Sequence, residues 1–241
     1  RHEFRATRNS CKNEAMKNLT ITVDDSVLEW ARIEAARRGA SVSRMVGDFM
    51  AEMQRREDAY ERAYLAWRTD ERSWRAQSAA TAEPAAAVAT AAPALLPRDA
   101  TVLVDTGVLV LAEDTSAGHR HLQTLACLDH LWRERTGRVS TQGLGEFYES
   151  VTGHADRPMP QGDARAAIRR YNSWTPWQND AATLETAWAL QARHTLAWSD
   201  CLALAAAQHS GCAALLSLHL PGGAQYGGVQ VVHPHSLRFA D

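Results

Sequence analysis

Residues 101–110 read TVLVDTGVLV. Thr101 to Val104 are β-prone and mostly apolar, and a short unbroken run of that kind fits a strand buried on both faces. Asp105, Thr106 and Gly107 then fit a strand-to-helix turn, which sets Asp105 at the carboxyl end of the strand. In open α/β sheets, ligands bind along that edge. A carboxylate there is either a helix N-cap or a functional acid. Two later stretches bear on the choice, VSTQGLGEFY (139–148) and WSDCLALAAA (198–207). Each sets one acid, Glu146 or Asp200, into an otherwise apolar or small helical face. Three such acids, far apart in sequence, suggest a shared acidic pocket.

From Thr101 the pattern alternates. It predicts a strand at 101–105, helices near 107–112 and 119–135, a strand at 138–141 and a helix at 142–152. A loop at 154–161 follows, then helices near 162–173, 180–195 and 199–210, and strands at 212–217 and 229–232. That order implies an α/β domain, a parallel sheet flanked by helices.

VLVDTGVLV, VSTQGLGEFYESV, WSDCLALAAAQHSGCAALLS and the closing GVQVVHP resemble the PIN domain of VapC-type toxins, the metal-dependent ribonucleases of bacterial toxin–antitoxin pairs. The resemblance runs roughly from Thr101 to Pro234 and keeps the motif order. It implies catalysis and metal binding at Asp105, Glu146 and Asp200. The chemistry agrees, since clustered carboxylates repel one another unless a cation neutralises them, and hard oxygen ligands select Mg²⁺ or Mn²⁺. Such ions orient and sharpen a water for phosphodiester hydrolysis of RNA. Two positions depart from the family. A fourth acid usually follows a Ser or Thr by two residues at the end of the late strand, and here His219 stands there, with Ser217 before it. Gly107 stands where the family often has Asn. These departures keep a rival reading open, a DNA-binding autoregulator with a weak or inactive nuclease domain. Ser217 and Thr106 remain available to hydrogen-bond the acids.

The front of the chain has a different grammar. Residues 1–15 show no periodicity and read as a disordered extension, with Met16 a candidate natural start. Leu19 to Val23 alternates as a strand, Ser26 to Arg38 is a helix stopped by Gly39, and Ser41 opens a second helix to Met53. Such a unit buries little apolar surface alone, so a partner chain is expected. MKNLTITVDDSVLEWARIEAARRGASVSRMVGDFM resembles a VapB-type antitoxin with the ribbon-helix-helix fold (16–53). The resemblance implies a homodimer or higher oligomer whose paired strands enter the major groove of operator DNA, with Lys17, Thr20 and Thr22 facing the DNA and Ser41 holding a phosphate. Residues 54–77 read as a tail helix whose Tyr60, Tyr64 and Trp67 stripe needs a groove. Antitoxin tails wrap the toxin, and Arg68, Arg72 and Arg75 are the candidates to lie over its acids. The Ala/Pro-rich segment 78–98 reads as a linker to the nuclease domain at 99–241.

Composition sets outer bounds. The chain has 241 residues, 45% apolar, with a formal net charge of −2, enough for one or two cored domains and naming no partner by bulk charge. Residues 101–241 carry 10 Lys/Arg against 13 Asp/Glu, so a nuclease domain here must gather basic groups locally. Cys11, Cys127, Cys201 and Cys212 share no zinc-binding spacing and suit a reducing cytoplasm. No signal peptide or membrane span is visible. Asp105-Thr106-Gly107 also spells the aspartic-protease triplet, but that chemistry needs a second such loop. Trp174, Trp177, Trp188 and Trp198 fit a core better than a base-stacking platform.

Overall fold

The computed structural model describes residues 19–76, 94–153 and 156–240. The extension at 1–15, Lys17 and most of the linker lie outside these residues. The chain divides into two compact units, 1–55 and 56–241. No described helix is long and apolar enough to cross a membrane.

In the first unit, helix α1 (Asp25–Arg37) ends at Gly39, whose φ of 62° is the left-handed turn that favours glycine. Ser41 then caps helix α2 (Val42–Arg68), its Oγ accepting from the Arg44 amide at 3.1 Å. Leu19–Asp24 has no strand assignment, and Thr20 and Thr22 are exposed there. A strand whose ladder needs a second copy has nothing to pair with in a single chain. Ala31 and Ala35 are the buried residues of α1, and α2 has none. Leu19, Ile21, Val23, Val27, Trp30, Ile33, Phe49, Met50 and Met53 are all exposed.

The sequence predicts two separate helices over 41–77, and one helix, α2, runs through to Arg68. No Gly or Pro lies between Asp48 and Arg75 to interrupt it. It stops six residues short of Trp74 because the following strap is held elsewhere. Asp70 pairs with Arg170, and the Trp74 backbone bridges Asp114.

The second unit is built on a five-stranded sheet. In chain order the strands are β1 (Ala94–Leu96), β2 (Val102–Val104), β3 (Gly137–Arg138), β4 (Ala214–Leu216), β5 (Gln225–Tyr226), β6 (Val229–Val232) and β7 (Leu237–Phe239). The main sheet runs β3-β2-β4-β6-β5, parallel except for the β5–β6 pair, and β1 pairs separately with β7. Helices α3 (Thr106–Glu113), α4 (His119–Arg133), α5 (Thr141–Gly153), α6 (Gln161–Tyr171), α7 (Ala181–Arg193) and α8 (Trp198–His209) flank it. The β2 residues divide between two cores, Val102 and Val104 joining the α3, α4 and α5 side and Leu103 the α7 and α8 side. That division explains why β2 lacks polar alternation. The β1–β7 pair was not expected, since Ala94–Leu96 is short and sits at the end of an Ala/Pro-rich run. Trp188 and Trp198 depart from the expected core placement too. They stack on each other with ring centroids 6.3 Å apart and remain partly exposed.

The first core is strongly aromatic. Trp132, Trp174, Tyr171 and Phe147 are fully enclosed. Gly137 is needed beside them, because a Cβ there would come within 2.7 Å of the Trp174 ring. We predict that Gly137→Ala costs at least ~1–3 kcal/mol of stability by overpacking, measured as the change in urea midpoint.

The segment 56–76 belongs to this unit. Tyr60, Tyr64 and Trp67 pack on Trp132, so the helical stripe finds its groove. Tyr60 donates to the Trp132 carbonyl at 2.7 Å and Tyr64 to Asp129 at 3.0 Å. Arg135 bridges Glu57 and Glu61 and lies over the Tyr60 ring. Beyond the helix, Asp70 and Glu113 both pair with the buried Arg170, at 2.8 and 3.3 Å. Burial raises the Glu113 carboxyl above its ordinary range despite the opposing pull of Arg170.

Candidate active site

Parallel strands deliver their carboxyl ends to one edge, and the acids gather there. Asp105 ends β2 and caps α3, one carboxylate oxygen accepting from the Thr106 amide at 2.8 Å. The other oxygen accepts from the Ser217 hydroxyl at 2.8 Å, just past β4. The N-cap and functional-acid readings of Asp105 are therefore compatible. Glu146 sits in the second turn of α5, accepting from the Thr106 hydroxyl at 2.9 Å and from the Gln142 amide at 2.6 Å. Gln142 in turn accepts from Asn179 at 2.9 Å. Asp200 lies in the first turn of α8, whose N-cap position is Ala197, so neither Ser199 nor Asp200 is the cap.

All three acids line one open cleft of about 690 Å³, together with Asp114, Glu149, Arg120 and His219. Burial raises the Asp105 carboxyl above its ordinary value of 3.8, the Ser217 and Thr106 hydrogen bonds oppose the rise, and nearby Asp200 adds to it. Burial raises Asp200 as well, with His219 opposing and Glu146 adding. The acids thus sense one another across the cleft. They do not yet converge: among the described residues, no group of three His, Cys, Asp or Glu side chains is placed to hold a metal ion. By type, three carboxylates fit a hard divalent cation, and the desolvated Asp105 gains from a neighbouring positive charge.

A carboxyl whose folded pKa exceeds the unfolded one contributes stability that is full below 3.8 and is lost as pH rises through the folded value. Asp105→Asn is therefore expected to melt higher than the parent at pH 7 in EDTA. The gap should close as the buffer is taken toward the unfolded value.

His219 occupies the place of a missing side chain. A Cβ on Gly107 would lie 3.0 Å from His219 Nε2. The His219 amide donates to Ser217 Oγ at 3.2 Å, tying the turn to the hydroxyl that holds Asp105. The two departures from the family pattern are thus one feature, with the imidazole filling the room left by glycine.

Residues 102–218 match the family model of the PIN domain. PIN domains are in general metal-dependent nucleases, and the α/β architecture and parallel sheet described above are PIN-like. No curated protein gives a significant match to the chain. The match covers the three candidate acids, Asp105, Glu146 and Asp200, but stops one residue short of His219.

The other singled-out residues lie elsewhere. Arg72 is paired with Asp70 at 2.6 Å and Asp163 at 3.0 Å. Arg68 lines a second cleft, beside Glu113 and Arg170, and Arg75 is exposed. Gln142, Asn179 and Arg120 were not anticipated. Gln142 had a visible signal, its spacing of four residues from Glu146 on one helix face. Asn179 and Arg120 had none.

Proposed function

We propose that the chain is a fused antitoxin–toxin polypeptide whose PIN-like domain is a divalent-metal-dependent endoribonuclease, working in the cytoplasm. The observation that carries this is that Asp105, Glu146 and Asp200, from three distant segments, line one cleft at the carboxyl edge of a PIN-like sheet. Mg²⁺ or Mn²⁺, when bound by these three acids, supplies an activated water and charge neutralisation at the phosphodiester. The protein's own part is orientation. Ser217 and the Thr106 amide hold Asp105, while Thr106 and Gln142 hold Glu146, one donor to each carboxylate oxygen, which leaves each oxygen capacity to accept another partner.

The front unit, in this reading, binds operator DNA as a ribbon-helix-helix homodimer through Lys17, Thr20, Thr22 and Ser41. The exposed apolar row from Leu19 to Met53 supports a second copy as its cover. The antitoxin segment restrains the nuclease. Its strap gives it a handle on the cleft, since the Trp74 carbonyl accepts from Thr115 and Asp114 accepts from the Ala76 amide, and Asp114 also lines the cleft. Incubating the full chain with cellular RNA, in Mn²⁺ and in EDTA, tests the enzyme. Metal-dependent cleavage supports it, and the absence of cleavage both by the folded full chain and by a folded 56–241 fragment sinks it.

Gly107 and His219 favour a second reading, a DNA-binding autoregulator with a degenerate nuclease. His219→Asp discriminates. A parent with measurable cleavage, and a variant within about tenfold of it, supports the enzyme. An inactive parent rescued by the variant supports the degenerate site.

A further inference from the structure

The acidic cleft has a neighbour. A pocket of about 250 Å³ opens beside it, and the two share Leu111, Arg120 and Leu218 as a common wall. Its other lining includes Gln123, Pro234 and His235. The size falls below the ~300–1,000 Å³ of drug-sized ligand sites and suits a single planar ring system.

We propose that this pocket receives one unstacked nucleobase of a single-stranded RNA substrate, with Arg120 at the junction holding the adjacent phosphate. The inference rests on the ribonuclease reading and adds the substrate's form to it. Charge is the first argument. Five carboxylates line the acidic cleft, namely Asp105, Asp114, Glu146, Glu149 and Asp200, and Arg120 is the one Lys or Arg among its described lining residues. A polyanion entering that cleft needs a cation beside the acids, and a guanidinium suits phosphate by its planar fork of donors. Arg120 Nε is buried, so the base of that fork is set into the wall rather than trailing in solvent.

Shape and chemistry make the second argument. Leu111, Leu218 and Pro234 give apolar faces for a base, while the Gln123 amide offers both a donor and an acceptor to its edge. The far wall is held in place: the Pro234 carbonyl accepts from the buried Cys127 thiol at 3.1 Å, and the His235 ring lies against His233, centroids 5.3 Å apart. Bases can be splayed into such a pocket from loops and single strands, whereas duplex bases stay stacked.

The test measures binding of a fluorescein-labelled single-stranded RNA to the full chain in EDTA, beside the same RNA annealed to its complement. Arg120→Gln is expected to weaken single-strand binding about tenfold and lower the salt slope by about one, with partial recovery in Arg120→Lys. Gln123→Trp, which fills the pocket from a half-exposed position, should weaken single-strand binding by a similar factor and leave duplex binding unchanged. Melting curves confirm that each variant folds. If the parent cleaves RNA and both Arg120→Gln and Gln123→Trp bind single strands as the parent does, the pocket assignment alone is overturned. If the parent cleaves RNA in Mn²⁺ but binds none in EDTA, the pocket assignment falls alone, and if it neither binds nor cleaves, the ribonuclease reading falls with it.

Discussion

Under the nuclease reading proposed above, Asp105→Ala in the full chain is expected to lower metal-dependent RNA cleavage by about three orders of magnitude or more, because that reading makes several kcal/mol of transition-state charge stabilisation depend on an ion held by Asp105. Asp105 occupies the hub of the site. It accepts from Thr106 and Ser217, and Thr106 also donates to Glu146, so this one carboxylate links β2, α3, α5 and the end of β4. The variant should nonetheless stay folded, since removing a buried charge relieves a desolvation penalty while giving up one helix cap worth ~1 kcal/mol. Single-turnover cleavage in Mn²⁺, read beside a melting curve, checks both halves. Retained cleavage by the folded variant places the chemistry elsewhere.

A fragment beginning at residue 98 is expected to melt far below the full chain, whereas one beginning at Arg56 keeps most of its stability. The shorter fragment loses Tyr60, Tyr64 and Trp67 from the face of Trp132 and loses Asp70 from the buried Arg170. It also loses β1 from its pairing with β7. Arg170 keeps Glu113, so losing Asp70 costs less than the ~3–5 kcal/mol of an uncompensated buried charge, while stripping large aromatic side chains from a core costs ~3–5 kcal/mol. Both compare with a whole-domain stability of only ~5–15 kcal/mol. Urea denaturation of the two fragments and the full chain reads the difference. Equal midpoints for all three would mean that the 56–97 segment adds nothing to the domain. The 56–241 fragment keeps the strap on Asp114 and Thr115, so cleavage equal to that of the full chain places the proposed restraint in the strap, and higher cleavage places it before Arg56.

Much of the architecture was legible because its signals are local. The apolar run at 101–104, the acid at the strand end and the small-residue helix after Trp198 each carry their meaning within a few residues. The strands and helices of 101–232 accordingly fall close to their expected places. The errors share a different origin. The end of α2 at Arg68 depends on Asp70 finding Arg170, a hundred residues away, and β1 depends on β7 at the far end of the chain. The exposed Trp188–Trp198 pair shows that an indole has no fixed address until its neighbours are known.

The sequence by itself determined the sheet-and-helix order, the three acids and the two unusual positions, Gly107 and His219, because periodicity and residue type are properties of the chain alone. Only the tertiary structure decided that Gly107 and His219 are complementary, that Thr106 and Ser217 hold the acids, and that Tyr60, Tyr64 and Trp67 pack against the domain core. It also set Arg120 between an acidic cleft and a small apolar pocket. Each of these is a meeting of segments distant in sequence, and packing, not local pattern, chooses which side chains meet.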